Sequence, residues 1–269
     1  MGLPGGRHLM GGALHSAIRL LAGLALSLAA AGVLWIGLLK VFDVSSYVGK
    51  GPGDVWSYLV LDSDASGNRA LIMGQLGQTL LDAGLGFTAG MLAAVAGACI
   101  FTLFRGVEQA LMPMAMLLRS VPLVALAPMI ILIFGRQEAT VAAMGGIVVL
   151  FPALVTIMLG LRSASPAMLE VVQVYGGSRF DSFRKVALPS SAPAFFTALR
   201  VSIPGALTGA LLAEWLATGQ GIGYGIVSAV SRARYDQVWA GVVVVTLASI
   251  LLYTLVSALE TAVKRRSGT

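Results

Sequence analysis

Charge, histidine and cysteine are scarce in this chain. Only 11% of its 269 residues are charged, whereas a soluble globular domain carries about 25%. Both histidines lie near the N-terminus, at positions 8 and 15, which excludes a Ser-His hydrolase site in the later apolar segments and leaves no cluster with metal-ligand spacing. The single Cys99 cannot form a disulfide within one chain.

Nucleotide-binding motifs are also missing. Gly49-Lys50-Gly51 lacks the hydroxyl residue and the glycine spacing of a phosphate-binding loop, and no dinucleotide fingerprint stands in a strand-turn-helix context. We therefore predict that the chain is not an enzyme: it has no catalytic residue, binds no metal and holds no cofactor of its own.

Apolar residues are abundant instead. They make up 57% of the chain, and the mean hydropathy is +0.88. Uncharged runs of about 20 residues are long enough to cross a bilayer as helices, and two further runs are interrupted by isolated charges. We expect an all-α integral membrane fold with six spans, at residues 20–39, 83–104, 106–135, 139–161, 192–218 and 237–259.

The expected domain organisation is simple. Residues 1–16 are rich in glycine and predict a cytoplasmic tail, and residues 17–266 form one polytopic domain with a polar loop at 163–190. The first apolar run is longer than the core of a signal peptide, and five more runs follow it, so we interpret it as a span. The outer segment contains a short apolar patch at 55–61 that is expected to be helical.

The basic residues that give the chain its net charge of +6 are distributed unequally between the two sides of the membrane. Six spans with the N-terminus inside also leave the C-terminus inside, and most of the basic residues then face the cytoplasm. This is the positive-inside bias. The charge therefore predicts orientation in a membrane and gives no reason to expect a nucleic-acid partner.

The polar loop has an internal pattern of helix and turn. A helix over 167–175 is expected to end at Gly176-Gly177, because glycine suits the left-handed conformation that follows a helix. Ser178, with Asp181 three residues later, predicts a capping box at the start of a second helix. Proline restricts the residue before it, and Pro189 is expected to stop this helix before the next span.

The second helix of the loop is expected to be amphipathic. Phe180, Phe183 and Val186 recur at three-residue spacing and predict an apolar stripe, with charged residues on the other face. Such a helix suits either a groove on a partner or the surface of the membrane.

The stretch EVVQVYGGSRFDSFRKVALP, from Glu170 to Pro189, resembles the signature loop of the permease subunits of bacterial ABC importers. That loop reads Glu-Ala-Ala, three residues, Gly, nine residues, then Ile, any residue, Leu-Pro. Glu170, Gly176, Leu188 and Pro189 match, and Val186 replaces Ile; Val171 and Val172 stand where the family usually has alanine. The resemblance implies a type I importer permease whose loop docks into a cytoplasmic ATPase. It assigns docking roles to Glu170, Gly176, Gly177, Phe180, Phe183, Leu188 and Pro189.

A second stretch narrows the resemblance to one subfamily. Ser120-Val121-Pro122, Ala127-Pro128 and Phe134-Gly135 resemble permeases for nitrate, bicarbonate, taurine, alkanesulfonates and pyrimidine vitamin precursors. The substrate implied is a small anion, with a pyrimidine vitamin precursor as the alternative. Glu214 and Gly221-Ile222-Gly223 also match the subfamily.

Candidate residues for the translocation pathway come from charges and helix breaks within the spans. Ionisable residues inside a membrane are functional candidates, and proline kinks persist only where neighbours or a cavity satisfy the freed backbone groups. For Arg119 the alternative is snorkelling to the inner interface. Glu214 is expected to be structural or gating, with direct contact to the substrate as the alternative. The pathway candidates are Arg119, Ser120, Pro122, Pro128 and Glu214.

The second helix is expected over about 75–104, which includes the span at 83–104, and it carries two further features. Gly86, Gly90 and Gly97 predict close approach of a neighbouring helix, as small residues do in lipid. Asp82 is expected to reach the outer interface, with a role in the pathway as the alternative.

The resemblance also implies partners and location. The implied partners are a cytoplasmic ABC ATPase dimer that uses ATP, a periplasmic or lipid-anchored solute-binding protein, a second permease copy and the lipid bilayer. The implied location is the bacterial inner membrane, with both termini of the chain in the cytoplasm. The competing hypothesis is a secondary transporter driven by an ion gradient, or a channel, that works without an ATPase. It is disfavoured because the chain shows no convincing internal repeat and few buried charges.

Overall fold

The computed structural model describes the backbone of residues 6–267 and the side chains of residues 22, 23 and 26–263. Within residues 6–267 the regular structure is helical, with no β-strand, which confirms the predicted all-α class. The chain divides into two compact units, residues 1–66 and 67–269.

The first unit contains α1 (Gly6–Val41) and α2 (Pro52–Trp56), and α2 continues into a π-helical turn, Ser57–Leu61. The helix expected in the 55–61 patch is therefore confirmed. The helix α1 already begins at Gly6, inside the segment predicted as a cytoplasmic tail. Extending an existing helix is far easier than nucleating one, and no proline interrupts the chain between Gly6 and the apolar run.

The second unit holds the remaining helices, apart from the first two residues of α3. They are α3 (Ala65–Leu103), α4 (Arg105–Ser120), α5 (Leu123–Phe134), α6 (Glu138–Arg162), α7 (Pro166–Val174), α8 (Arg179–Ser182), α9 (Leu188–Ser190), α10 (Ala192–Ala213), α11 (Gly221–Ser231) and α12 (Tyr235–Ser267). A π-helical turn, Phe183–Ala187, joins α8 to α9, and a second, Glu214–Thr218, extends α10.

Four helices of the described residues are long and apolar enough to cross a membrane: α3, α6, α10 with its π turn, and α12. The pair α4 and α5 makes a fifth span if it is counted as one broken helix. The first predicted span falls on α1, whose described apolar part, Leu26–Val41, is shorter than the others.

The third predicted span is not one kinked helix. α4 and α5 meet at an angle of 106°, with the extended residue Val121 between Ser120 and Pro122. Proline disfavours the helical conformation in the residue before it, so Pro122 ends α4 and immediately precedes α5. Pro128, in contrast, lies inside α5.

Glycines set the packing of α6 against α3 and α10. A Cβ on Gly145 of α6 would lie 2.8 Å from the Cα of Gly86 in α3, and a Cβ on Gly209 of α10 would lie 2.6 Å from the Cα of Gly145. A Cβ on Gly90 would likewise lie 2.7 Å from Val149. The close approach predicted from the glycines of the second span is confirmed at Gly86 and Gly90.

Candidate functional site

The polar loop begins with α7 and a tight turn. Gly176 has φ +79°, and its N–H donates to the carbonyl of Gln173 at 2.9 Å. The N–H of Gly177 donates to the carbonyl of Val172, also at 2.9 Å. This pair of bonds is a Schellman motif, and it confirms the predicted helix stop at Gly176-Gly177.

The start of α8 is capped by a reciprocal pair. The N–H of Asp181 donates to Oγ of Ser178 at 3.1 Å, and the N–H of Ser178 donates to Oδ2 of Asp181 at 2.9 Å, as the predicted capping box requires. The hydroxyl and backbone N–H of Ser178, with Lys185 nearby, hold the pKa of Asp181 below its ordinary value. The two motifs together fix the direction in which the loop turns.

Pro189 does not stop the helix, contrary to the prediction. The helix continues from α8 through the π turn into α9 and ends at Ser190. A proline inside a helix removes one N–H donor, and π-helical hydrogen bonding, which skips a residue, precedes it here. The chain leaves this helix at Ser191 and enters α10 at Ala192.

The predicted apolar stripe is divided between two faces. Val186 is buried beside Ala164 and Ala187, and Phe183 packs against this cluster, whereas Phe180 is 58% exposed. A three-residue step falls short of a full helical turn, so the three side chains drift around the helix. Phe183 therefore belongs to the core of the loop, and only Phe180 faces outward.

The tip of the loop exposes large apolar side chains. Val174 is 84% exposed and Tyr175 is 88% exposed, at the end of α7. Leu188 and Pro189 are exposed on α9, and Glu170 is exposed on α7. Their charged neighbours Arg184 and Lys185 are also exposed. Large apolar side chains exposed on the same element as charged residues are typical of an interaction surface.

A groove of about 1000 Å³ separates the loop from α4 and the end of α6. Glu108 of α4 and Arg162 of α6 form an ion pair of 2.5 Å on its wall. Phe183 lines the side of the groove that the loop contributes.

The predicted pathway residues fall into two places. Arg119, Ser120 and Pro122 lie at the bend between α4 and α5 and are exposed, and Pro128 is exposed within α5. Arg119 is in the last turn of α4. Glu214, in contrast, is fully buried at the far end of α10 from the loop.

Glu214 belongs to a polar cluster between α10, α11 and α3. Its Oε2 accepts a hydrogen bond from the N–H of Gly223 at 2.7 Å, and Oγ1 of Thr79 accepts one from the N–H of Ile222 at 2.9 Å. Both donors lie in the first turn of α11, where N–H groups have no partner within the helix. Gly221 covers the carboxyl, because a Cβ there would overlap it.

Asp82 lies in the same cluster, and the expectation that it reaches the outer interface is wrong. It is 3% exposed and accepts a hydrogen bond from Nε2 of Gln78 at 2.9 Å. The helix α11 was also not predicted. A turn at Gly219, with φ +69°, precedes it, and Gly221 and Gly223 lie within its first turn.

Sequence reasoning missed two ion pairs, Glu108–Arg162 and Arg200–Glu260. The second joins α10 to α12 at 3.0 Å, and the Glu260 side chain is only 7% exposed. The available signal was an isolated charge inside an apolar run, which is expected to have a partner. The sequence could not name the partner, because 60 positions separate these two residues.

The chain resembles known transport proteins over most of its length. Residues 86–268 match the family described as binding-protein-dependent transport system inner membrane component. A probable ABC transporter permease protein of Haemophilus influenzae is 30% identical over 175 residues, which are 65% of this chain and 71% of that protein.

Two other relatives carry transport names. The formylaminopyrimidine transport permease protein ThiX of Halalkalibacterium halodurans is 30% identical over 57% of this chain and 62% of its own length. The putative aliphatic sulfonates transport permease protein SsuC of Bacillus subtilis is 29% identical over 67% of this chain and 63% of its own length. The match thus spans less than two thirds of both relatives.

A solved structure shares the fold. The crystal structure of an amino acid ABC transporter with histidines superposes with a TM-score of 0.57 at 16% identity, over 75% of this chain and 96% of that one. The family match, the apolar helices and the shared fold agree. The chain belongs to the inner membrane components of binding-protein-dependent transport systems, the multi-pass permease subunits of ABC importers.

Proposed function

We propose that residues 163–190 are the element through which a cytoplasmic ABC ATPase drives this permease. The observation that carries the proposal is the apolar tip, in which Val174 and Tyr175 are more than four-fifths exposed. A membrane-facing role does not suit them, because Arg184 and Lys185 of the same loop are exposed and would be costly to place in lipid.

Local contacts hold the tip of the loop rigidly, so that a movement of the ATPase would displace the whole loop. The Schellman motif at Gly176 and the capping box at Ser178 fix the turn, and the buried cluster of Ala164, Val186 and Ala187 holds the loop together. The π turn of the loop also packs against α6. Movement of the tip therefore carries α6 and α10 with it. ATP-driven closure of the ATPase pair would convert this movement into alternating access.

The docking surface consists of the exposed part of the predicted set. Glu170, Phe180, Leu188 and Pro189 face outward and, with Val174 and Tyr175, form the contact. Gly176 and Gly177 act by shaping the turn. Phe183 acts from within the loop, by supporting the helix that presents Phe180.

Substitutions at Gly176 test this function. Its positive φ excludes β-branched residues, whereas asparagine tolerates that conformation. Gly176→Val is expected to reduce the ATPase that copurifies with the permease at least about fivefold, because the strain costs about 1–3 kcal/mol. Gly176→Asn is expected to retain it.

Gly74→Val is a matched control, because Gly74 lies in α3 with open space around its Cα. It is expected to leave copurification unchanged. Normal copurification of Gly176→Val with a folded permease would contradict the docking role. Failure of the unmodified chain to retain any ATPase would favour a transporter that works alone.

The translocation pathway is expected to pass the bend between α4 and α5. Arg119 and Ser120 are exposed there beside the break at Pro122, and a cationic side chain suits a small anion such as a sulfonate or nitrate. The name of the ThiX relative supports the alternative, a pyrimidine vitamin precursor. ATPase stimulation by the cognate binding protein, measured across these solutes, separates the two.

The assembled importer contains two permease copies, an ATPase pair that hydrolyses ATP, and a periplasmic or lipid-anchored solute-binding protein. Both chain termini face the cytoplasm of a bacterial inner membrane. The mass of the purified complex and protease access to each terminus in oriented vesicles test this arrangement. Glu214 is enclosed between α10 and α11, and it contributes to gating by holding the junction of these two helices together.

A further inference from the structure

The polar cluster at the far end of α10 contains two acids with incomplete hydrogen bonding. Glu214 is 0% exposed and Asp82 is 3% exposed. Each has one satisfied oxygen: Oε2 of Glu214 accepts from Gly223, and Oδ1 of Asp82 accepts from Gln78. The remaining oxygens, Oε1 of Glu214 and Oδ2 of Asp82, are buried and have no donor.

The two carboxyl groups belong to one buried cluster. Thr79, one turn from Asp82 on α3, accepts a hydrogen bond from the N–H of Ile222, and the adjacent N–H of Gly223 donates to Glu214. An ionised carboxylate only accepts hydrogen bonds, so two carboxylates cannot satisfy one another. One proton between them makes a donor–acceptor pair and leaves a single negative charge, which the N-terminal end of α11 stabilises.

The neutral polar groups around the pair are Thr79 and Gln78. Oγ1 of Thr79 accepts from the N–H of Ile222, and Nε2 of Gln78 donates to Oδ1 of Asp82. The further charge that acts on Asp82 is Glu138 of α6, another acid. Among the described residues, no cation acts on either carboxyl.

We propose that Asp82 and Glu214 form an intramembrane proton-binding site, in which one proton shared between their carboxyl groups joins α3 to the junction of α10 and α11. The site is closed over by Gly221, where a side chain would overlap the Glu214 carboxyl. Loss of the proton leaves two adjacent negative charges, and their repulsion separates α11 from α3. This role is independent of the loop that meets the ATPase.

Amide substitutions test the site because an amide supplies the missing donor. In Asp82→Asn or Glu214→Gln, the NH₂ group replaces the shared proton while the amide oxygen keeps the existing bond. Each single variant is expected to keep the unfolding temperature of the wild-type complex at neutral pH. The double variant Asp82→Asn/Glu214→Gln turns two NH₂ groups toward each other, and its unfolding temperature is expected to fall by about 4 °C or more.

The pH dependence provides the second readout. The wild-type complex is expected to lose stability as pH rises and the shared proton leaves, whereas the loss is absent in either single variant. Infrared difference spectra of wild type against Glu214→Gln are expected to contain the band of a protonated carboxylic acid at neutral pH.

Three results would overturn the proposal. Stabilisation of the wild type by sodium or a divalent cation, abolished in both single variants, would make the ligand a metal ion. A double variant as stable as the singles would remove the need for a donor between the carboxyls. A spectrum without a protonated carboxylic acid would exclude the shared proton directly. None of these results bears on ATPase copurification, so the two proposals fail separately.

Discussion

At the scale of single residues, Asp181 links the charge of the loop to its shape. It accepts hydrogen bonds from the backbone N–H and the hydroxyl of Ser178 and lies 3.5 Å from Nζ of Lys185. These contacts favour the ionised carboxylate and hold its pKa below the ordinary value. The cap is therefore strongest when Asp181 is charged.

Acid pH is predicted to loosen the start of α8. A carboxyl whose folded pKa is lowered contributes stability that is present above its unfolded pKa and is lost as pH falls through the folded pKa. Below the reference value of 3.8, amide hydrogen exchange across residues 178–190, corrected for its intrinsic pH dependence, is expected to accelerate. Asp181→Asn is the control, and its corrected exchange should not vary with pH. Equal pH dependence in both proteins would remove Asp181 as the cause.

The ion pair between Arg200 and Glu260 predicts an asymmetric mutational response. Arg200→Met removes the guanidinium from the largely buried carboxylate of Glu260, and breaking such a pair costs about 3 kcal/mol. The double variant Arg200→Met/Glu260→Gln removes both charges and is expected to recover most of the loss in unfolding temperature. A double variant as unstable as Arg200→Met would mean that charge burial is not what destabilises the single variant.

At the scale of helices, α6 depends on one glycine at its crossing with α3 and α10. A side chain on Gly145 would press on the backbone of Gly86, whereas a Cβ on the adjacent Gly146 would meet ordinary contacts at 3.5 Å or more. Gly145→Ala is predicted to destabilise the protein by about 1–3 kcal/mol through overpacking. Gly146→Ala is predicted to be neutral or stabilising, because alanine favours the helix. Equal thermal unfolding of the two variants would contradict this crossing.

Local signals in the sequence predicted the helices and turns well where one residue type decides the outcome. The stop at Gly176 and the cap at Ser178 and Asp181 rest on contacts within a few residues, and both are found as expected. Pro189 was predicted wrongly, because a π turn lets the helix pass it. The bend at Pro122 was read as a kink, since sequence alone gives no angle.

Contacts between distant segments were beyond the sequence. Asp82 and Glu214 are 132 positions apart in the sequence but lie in one buried cluster. The hydrophobic pattern of neither helix indicates a contact with the other helix. The same limit applies to Phe183, whose inward direction follows from the buried cluster at Ala164. Spans, caps and the family motif were therefore accessible, while the buried polar cluster required the structure.

At the scale of the whole molecule, the apolar tip of the loop and the buried acid pair lie at opposite ends of α10. The loop end exposes apolar side chains, and the other end is closed off between helices. A helix of 22 residues is about 33 Å long, which is enough to carry a rigid-body displacement across the bilayer. Under the two proposals made above, one end would respond to ATPase closure and the other to protonation.

The central claim is that the tip of the loop touches a cytoplasmic ATPase, and site-directed cross-linking tests it most directly. A Cys99→Ala background carrying Tyr175→Cys, co-expressed with its ATPase in membranes, is expected to form a permease–ATPase adduct whose yield changes when ATP is bound. In intact cells this cysteine should also resist a membrane-impermeant thiol reagent. Labelling of Tyr175→Cys from outside the cell, or ATP-driven transport with no adduct from this position, would contradict the account.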